Sequence, residues 1–446
     1  MSSTLANTGL RSLQPSAIWT FLRRQPPSFW LVLTYLLFEY VRPQNVYDAL
    51  QGPPYARAVI LLALGAFVFE RRKLRFGAPE LLLALFSVIV LASSIGAFYP
   101  RISYGSFLDY YQWVVVYLLI ANTVDTEDRF LVFMLCFLLY SFKMSQFGTR
   151  SWAADGFVFR EWGTTGAPGF FHNSGEFGIQ MCIILPLIVA FIQALGENWP
   201  RWLRVAAWIA AGTAVTSIVG SSSRGAVVGA AAVALWMLMK SPRKLRSLTV
   251  TGVLGAIVFV ATPPEQKARF EAIGSDPTSI SRTTYWRHGL EMMGDHPVLG
   301  IGYVNWAEYH EAVYGSRGLS HNIFIQAGAE LGYTGLIAFI ALLACAFFIN
   351  RDTRRLASRR PATGRFAFYM AHGLDGAMVG FVASGFFVTV LYYPFFWINL
   401  AMTVALNNAA RQASVIELPL VSGWRSARST SGTHSAVGST RSGAAG

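Results

Sequence analysis

The sequence predicts an all-α polytopic membrane protein with about twelve transmembrane helices, and three observations carry that expectation. Hydrophobic residues make up 54% of the 446-residue chain and charged residues 13%, about half the charge usual in a soluble domain. Mean hydropathy is +0.42. The apolar residues gather into stretches near the ~20 residues that cross a bilayer as helix, and no series of alternating ten-residue strands suggests a transmembrane β-barrel.

Taken in order, residues 1–27 are polar, hold Arg11, Arg23 and Arg24, and lack the apolar core of a cleavable signal peptide. They read as a cytoplasmic N-terminal segment. Spans are expected near 28–41, 55–70, 79–98, 106–122, 130–146, 176–195, 202–220, 225–240, 247–263, 322–349, 367–391 and 394–410. The first is short and interrupted by Glu39, and the last two divide at Pro394. Residues 28–410 thus form one transmembrane domain. Residues 411–446, rich in Ser, Gly and Thr, read as a disordered cytoplasmic tail.

The formal charge of +13 does not point to nucleic acid. Its Lys and Arg concentrate in RRKLR (Arg71–Arg75), KSPRKLR (Lys240–Arg246) and RDTRRLASRRPATGR (Arg351–Arg365). With the N-terminus inside, all three loops are cytoplasmic, as the positive-inside rule requires. An even number of spans returns the C-terminus to the same side. Two external loops stand out, one about 145–175 and a larger one about 264–321. The second has the mixed polarity of short surface helices and a length seen where binding groups sit. No internal repeat is evident, which argues against a secondary transporter.

Four stretches could carry chemistry. In GSSSRGAVVGA (Gly220–Ala230), Arg224 falls at the external mouth of a span. An arginine there is often only snorkelling, but the charge rule disfavours Arg on this face. A guanidinium beside Ser223 and a flexible backbone suits a phosphate. In SISRTTYWRHGLEMM, Arg282 and Trp286 share a face if the segment is helical, with Arg287 and His288 alongside. By itself this could be an amphipathic surface helix.

The third stretch, SHNIFIQAGAELGYTGL, opens an apolar helix with His321 and Asn322 behind a candidate N-cap, Ser320. Asn322, Gln326 and Glu330 recur at i, i+4, i+8 and line one face. Polar groups inside a bilayer are expensive and point to function. Helix amides and a nearby arginine would keep the His321 imidazole neutral and able to accept a proton. The fourth, GTTGAPGFFHNSGEFGIQM, places His172 and Glu176 four apart without a third metal ligand. Its Gly and Asn173 read as shaping a backbone loop near a substrate. Cys136, Cys182 and Cys345 lie in apolar segments without ligand spacing. LGIGYVN lacks the third glycine of a dinucleotide loop, DTED (Asp125–Asp128) lies on the cytoplasmic side, and no P-loop is present. No metal and no cofactor are expected.

The order SSSRGAVVG, then Arg282 and Trp286, then DHPVLGIGYVNW, then SHNIFIQAGAELGYTGL resembles the O-antigen ligase and polymerase superfamily, most specifically over residues 163–340. FEYVRPQ and FFHNSGEFGIQM are similar to its branch of exosortase-associated O-glycosylation ligases. The resemblance implies about twelve spans and one large periplasmic loop in the bacterial inner membrane. It also implies transfer of a glycan from undecaprenyl diphosphate to an acceptor hydroxyl on lipid A-core, another glycan or protein. Neither nucleotide sugar nor metal takes part. By motif position its functional groups fall on Arg224, Arg282 and His321; Asn322, Trp286, Arg287, Asn173 and Ser223 are expected to contact substrate. A polymerase of the same superfamily is the nearest alternative, and a small-solute or bicarbonate transporter the alternative from another class. Gln326 and Glu330 are expected to hold their helix to its neighbours.

Overall fold

In the computed structural model the described residues are 9–160, 163–167, 171–241, 243–264, 267–268, 274 and 276–430. Among them every regular element is a helix. In chain order these are α1 (Pro15–Leu22), α2 (Pro27–Leu36), α3 (Tyr55–Phe69), α4 (Ala78–Ile95), α5 (Pro100–Gly105), α6 (Phe107–Thr123), α7 (Glu127–Ala154) and α8 (Ser174–Leu195). There follow α9 (Arg201–Gly220), α10 (Arg224–Lys240), α11 (Lys244–Ala261), α12 (Pro277–Asp295), α13 (Trp306–Tyr314), α14 (Ile323–Ser358), α15 (Arg365–Gly385) and α16 (Pro394–Thr430).

Each of the twelve apolar stretches lies on one of these helices, and α12 and α13 occupy the segment between α11 and α14. Among the described residues, α4, α7, α8, α9, α14 and α15 are long and apolar enough to cross a membrane. Several boundaries differ from expectation. The first stretch is α-helical only to Leu36 and closes in a π-helical turn, Leu37–Val41, with Arg42 in the left-handed region at its end. The α15 helix stops at Gly385, leaving 386–393 as a connecting segment. The α16 helix runs on to Thr430, past the expected start of the tail; residues 431–446, like 1–8, lie outside the described ones.

The centre of the bundle is α8, nearly nine-tenths of whose apolar window is buried. Inside a bilayer, lipid is as apolar as leucine, so helices associate through close packing rather than exclusion of water. The α15 helix accordingly turns small residues toward α8. A Cβ at Gly373 would lie 2.6 Å from Ala190 Cβ, and one at Gly380 2.9 Å from the Cys182 carbonyl oxygen. At the opposite extreme, α11 buries none of its described side chains.

The acidic DTED run is explained by packing, not metal. Thr126 caps α7, accepting from Arg129 N at 3.2 Å, and Glu127 and Asp128 sit in its first turn, where the helix dipole favours them. Asp125 pairs with Arg129 at 2.5 Å, and Glu127 with Arg360 at 2.6 Å. These bonds tie α7 to the segment after α14 at the basic end of the bundle.

The α14 helix, expected as a plain span, is broken at Gly332, whose φ of 70° and ψ of −175° are not helical. The break orphans two carbonyls and an amide that the loop before α13 then satisfies. Ile301 N donates to Ala329 O at 2.9 Å, Gly302 N to Glu330 O at 3.1 Å, and Tyr333 N to Pro297 O at 2.8 Å. This splice explains the glycines of LGIGYVN. Gly300 has φ 66°, and a Cβ there would lie 2.4 Å from the Glu330 carbonyl carbon.

Candidate functional site

The site forms at the end of the bundle where α8, α10 and α14 begin. Each of these helices, like α12, has its first amides satisfied by a capping side chain. Asn173 caps α8, accepting from Glu176 N at 3.0 Å, and Ser223 caps α10, accepting from Ala226 N at 3.3 Å. Asp276 caps α12, accepting from Thr278 N and Ser279 N at 3.1 and 3.2 Å. Asn322 caps α14, accepting from Phe324 N and Ile325 N at 2.8 and 3.2 Å. The cap of α14 is therefore Asn322 and not Ser320, whose hydroxyl lies 3.3 Å from Thr389 Oγ1. The side-chain oxygens of Asn173, Ser223 and Asn322 are thus spent on backbone amides. Their direct contribution is to fix where positive helix ends lie.

Arg224 opens α10 and forms a two-pronged pair with Asp276, Nη1 to Oδ2 at 2.9 Å and Nη2 to Oδ1 at 3.0 Å. Asp276 also accepts from the Ser279 hydroxyl. Hydrogen bonds from Arg224 and Ser279 hold its carboxyl far below the usual carboxylate range. Arg282 stands on α12 with its Nε buried and without a hydrogen-bond partner. Burial, then the charge of Arg224, lowers its pKa, offset in part by Asp276. Trp286, one turn on, packs edge-on against Phe386 at 5.3 Å and near Phe387 at 6.3 Å, in the segment after α15. Its indole N–H is also buried without a partner. Arg287 does not join them: its side chain is 69% exposed and lies 3.8 Å from Glu291.

His321 is held from the backbone. Its φ is 47°, and its N–H donates to Thr389 Oγ1 at 2.8 Å. Its ring lies 6.3 Å from that of Tyr285 on α12. Burial and then the Arg282 charge push its pKa down to about 4. Arg224 acts on Arg282 and Arg282 on His321, so three residues from distant parts of the chain share one electrostatic neighbourhood. Sequence reading missed Asp276, Tyr285 and Thr389. For Asp276 a signal existed, since Asp-Pro-Thr-Ser is a helix-start pattern.

Below this level, Gln326 and Glu330 are buried. Trp306 N donates to Glu330 Oε1 and Gln326 Nε2 to Glu330 Oε2, both at 3.4 Å, while Leu391 N donates to Gln326 Oε1 at 3.3 Å. The two side chains connect α14 to the start of α13 and to the segment before α16. A cavity of about 490 Å³, lined by Phe21, Gln25, Arg72, Asp125, Thr126 and Arg129, lies at the other end of the bundle.

Residues 206–340 match the family described as O-antigen ligase, and that stretch contains Arg224, Arg282 and His321. That match covers under a third of the chain, and the likeness is to the O-antigen ligase family. It is 27% identical over 272 residues to the exopolysaccharide production protein ExoQ of Rhizobium meliloti, covering 56% of this chain and 60% of that one. It is 25% identical over 166 residues to an O-antigen ligase of Pseudomonas aeruginosa, covering 35% of this chain and 38% of the relative. The matches thus span less than two thirds of either relative. Within the O-antigen ligase match lie α10, α12 and the start of α14, so the caps of those three helices fall inside it. Asn173 and the start of α8 fall outside.

Proposed function

We propose that this protein is a glycosyltransferase of the bacterial inner membrane that moves a glycan from undecaprenyl diphosphate to an acceptor hydroxyl at the periplasmic face. Both termini are cytoplasmic and twelve helices span the bilayer. The observation that carries this reading is the coupled set Arg224, Arg282 and His321 at an end of the bundle lined with helix N-termini, in a chain similar to this family. Two guanidiniums and positive helix ends suit a diphosphate, and the buried Arg282 Nε is a donor suited to one of its oxygens.

In the reaction the acceptor oxygen attacks the anomeric carbon and its proton passes to His321. The carbon–oxygen bond to phosphate breaks, and undecaprenyl diphosphate leaves with the electron pair. Leaving-group charge is met by Arg224 and Arg282, so neither protonation nor metal is needed. A single displacement inverts the anomeric configuration. His321 starts as a neutral base, because Arg282 opposes its protonation. Bound diphosphate offsets that field and makes the imidazole more basic when the donor is in place.

The test is reconstitution with undecaprenyl-diphosphate glycan and lipid A-core. Arg224→Ala and Arg282→Ala should each lose roughly 10²-fold or more, and His321→Ala roughly 10²–10⁴-fold. Full transfer by these variants removes the assignment, and retained configuration removes the mechanism. A second reading, a polymerase that extends a lipid-linked glycan, is favoured by the longer match to the exopolysaccharide production protein. Chain extension of the donor without added acceptor would select it. Transport of a small solute such as bicarbonate, without transfer, would overturn both.

A further inference from the structure

One cluster near the site has no part in that chemistry. Glu176, in the first turn of α8, is only 4% exposed. Its carboxylate accepts from His172 N at 2.8 Å, from Asn173 Nδ2 at 2.8 Å and from Tyr393 Oη at 3.0 Å. The first two bonds, with Asn173 Oδ1 accepting from Glu176 N, make a variant of the capping box. Capping does not account for the rest. The His172 ring is 79% exposed, and its Nδ1 sits 3.1 Å from Tyr393 Oη and 3.4 Å from Glu176 Oε2.

The tyrosine hydroxyl has one proton, and it is given to Glu176. Toward His172 it can therefore only accept, and so can the carboxylate. Nδ1 must carry the ring proton. This leaves Nε2 of the neutral ring unprotonated and turned outward, an arrangement in which a buried carboxylate orients a histidine for use at its other nitrogen. The place is also telling. A Cβ on Gly175 would lie 3.4 Å from Val388 and 3.7 Å from the Ser223 hydroxyl. Ser223 precedes Arg224, and Val388 precedes Thr389, which holds the His321 backbone. The cluster therefore lies beside the start of α10 and the segment after α15.

We propose that His172, set by Glu176 and Tyr393, is a binding site for the acceptor glycan, its Nε2 accepting a hydrogen bond from a hydroxyl other than the one that reacts. The proposal rests on the glycan-transfer reading. Nothing is transferred at this nitrogen; it positions the acceptor while His321 takes the proton. Aliphatic hydroxyls are donors that such a nitrogen recognises, and loss of one neutral hydrogen bond weakens acceptor binding by roughly three- to tenfold.

The experiment uses the full chain in lipid nanodiscs with ¹⁵N-labelled histidine, the His172 signal being assigned by its loss in His172→Gln. In its neutral form this ring should show the Nδ1–H tautomer, and Glu176→Gln and Tyr393→Phe should each raise the Nε2–H form. Adding lipid A-core without donor should shift the Nε2 resonance as it gains a hydrogen bond. In the transfer assay, His172→Ala should raise the KM for lipid A-core three- to tenfold, leaving kcat and the donor KM within about twofold, with His172→Gln intermediate. An Nε2–H ring in the wild type, or no shift with lipid A-core, overturns the subsite. A shift without transfer by the wild type leaves the subsite standing and counts against glycan transfer.

Discussion

His321 shows how one side chain reports on its neighbours. Its pKa of about 4 arises first from burial and then from Arg282. Replacing Arg282 with Gln removes a positive charge that disfavours the imidazolium, so the pKa should rise, yet stay below the usual ~6.5 because burial persists. The acid limb of kcat/KM, near pH 4 in the wild type, should then move upward, and histidine NMR of the free protein should follow it. An unmoved or lowered limb would mean that Arg282 does not act on His321. Arg224 and His321 stand out in the sequence because each is a costly charge or imidazole at the mouth of an apolar stretch, whereas Arg282 stands out chiefly by motif position. Asp276 and Thr389 were not legible as partners, because a pairing across 52 or 68 residues leaves no local pattern. Arg287 is a different case: it adjoins Trp286 in the sequence, but neighbours on a helix point about 100° apart, and its side chain faces Glu291.

At the scale of the element, helix starts matter more than helix lengths. The sequence offers Ser320 as the cap of α14, although Asn322 is a residue type that caps equally well. What separates them is backbone direction, with His321 in the left-handed region between the two. Asn322→Ala should cost about 0.5–2 kcal/mol, read as a lower unfolding temperature, and should loosen the position of His321 as well. An unchanged unfolding temperature would show that the cap contributes nothing. The splice at Gly332 makes a sharper prediction. Gly300→Ala sets a Cβ against the Glu330 carbonyl carbon while holding a positive φ, a strain of about 1–3 kcal/mol before any clash. Poor yield and a lower unfolding temperature should result, and a variant as stable as the wild type would show the splice to be loose. Sequence hydropathy does not mark this break, since the apolar stretch continues past Gly332 at spanning length.

For the whole molecule, the apolar stretches and their order were legible because hydrophobicity at spanning length is a strong signal. The ends were less so, because caps, π turns and chain continuation depend on what each terminus meets. The proposed topology is directly measurable. Val313 on α13 and Phe76 before α4 are both exposed and lie at opposite ends of the bundle. In intact spheroplasts, Val313→Cys should react with a membrane-impermeant maleimide, and Phe76→Cys only after permeabilisation, with the wild type as the blank. Labelling of both from outside would overturn the arrangement.

The contrast between α8 and α11 carries a last consequence. A helix wrapped by its neighbours must keep the shape of each side chain, since every face touches something of matching form. One whose described side chains are all unburied needs only to stay greasy. Trading Val253 or Ile257 for leucine should pass unnoticed, whereas the same trade at Ile179 or Ile184 displaces a neighbour. Over many generations the outer helix is at liberty to wander in sequence, and the inner one is not.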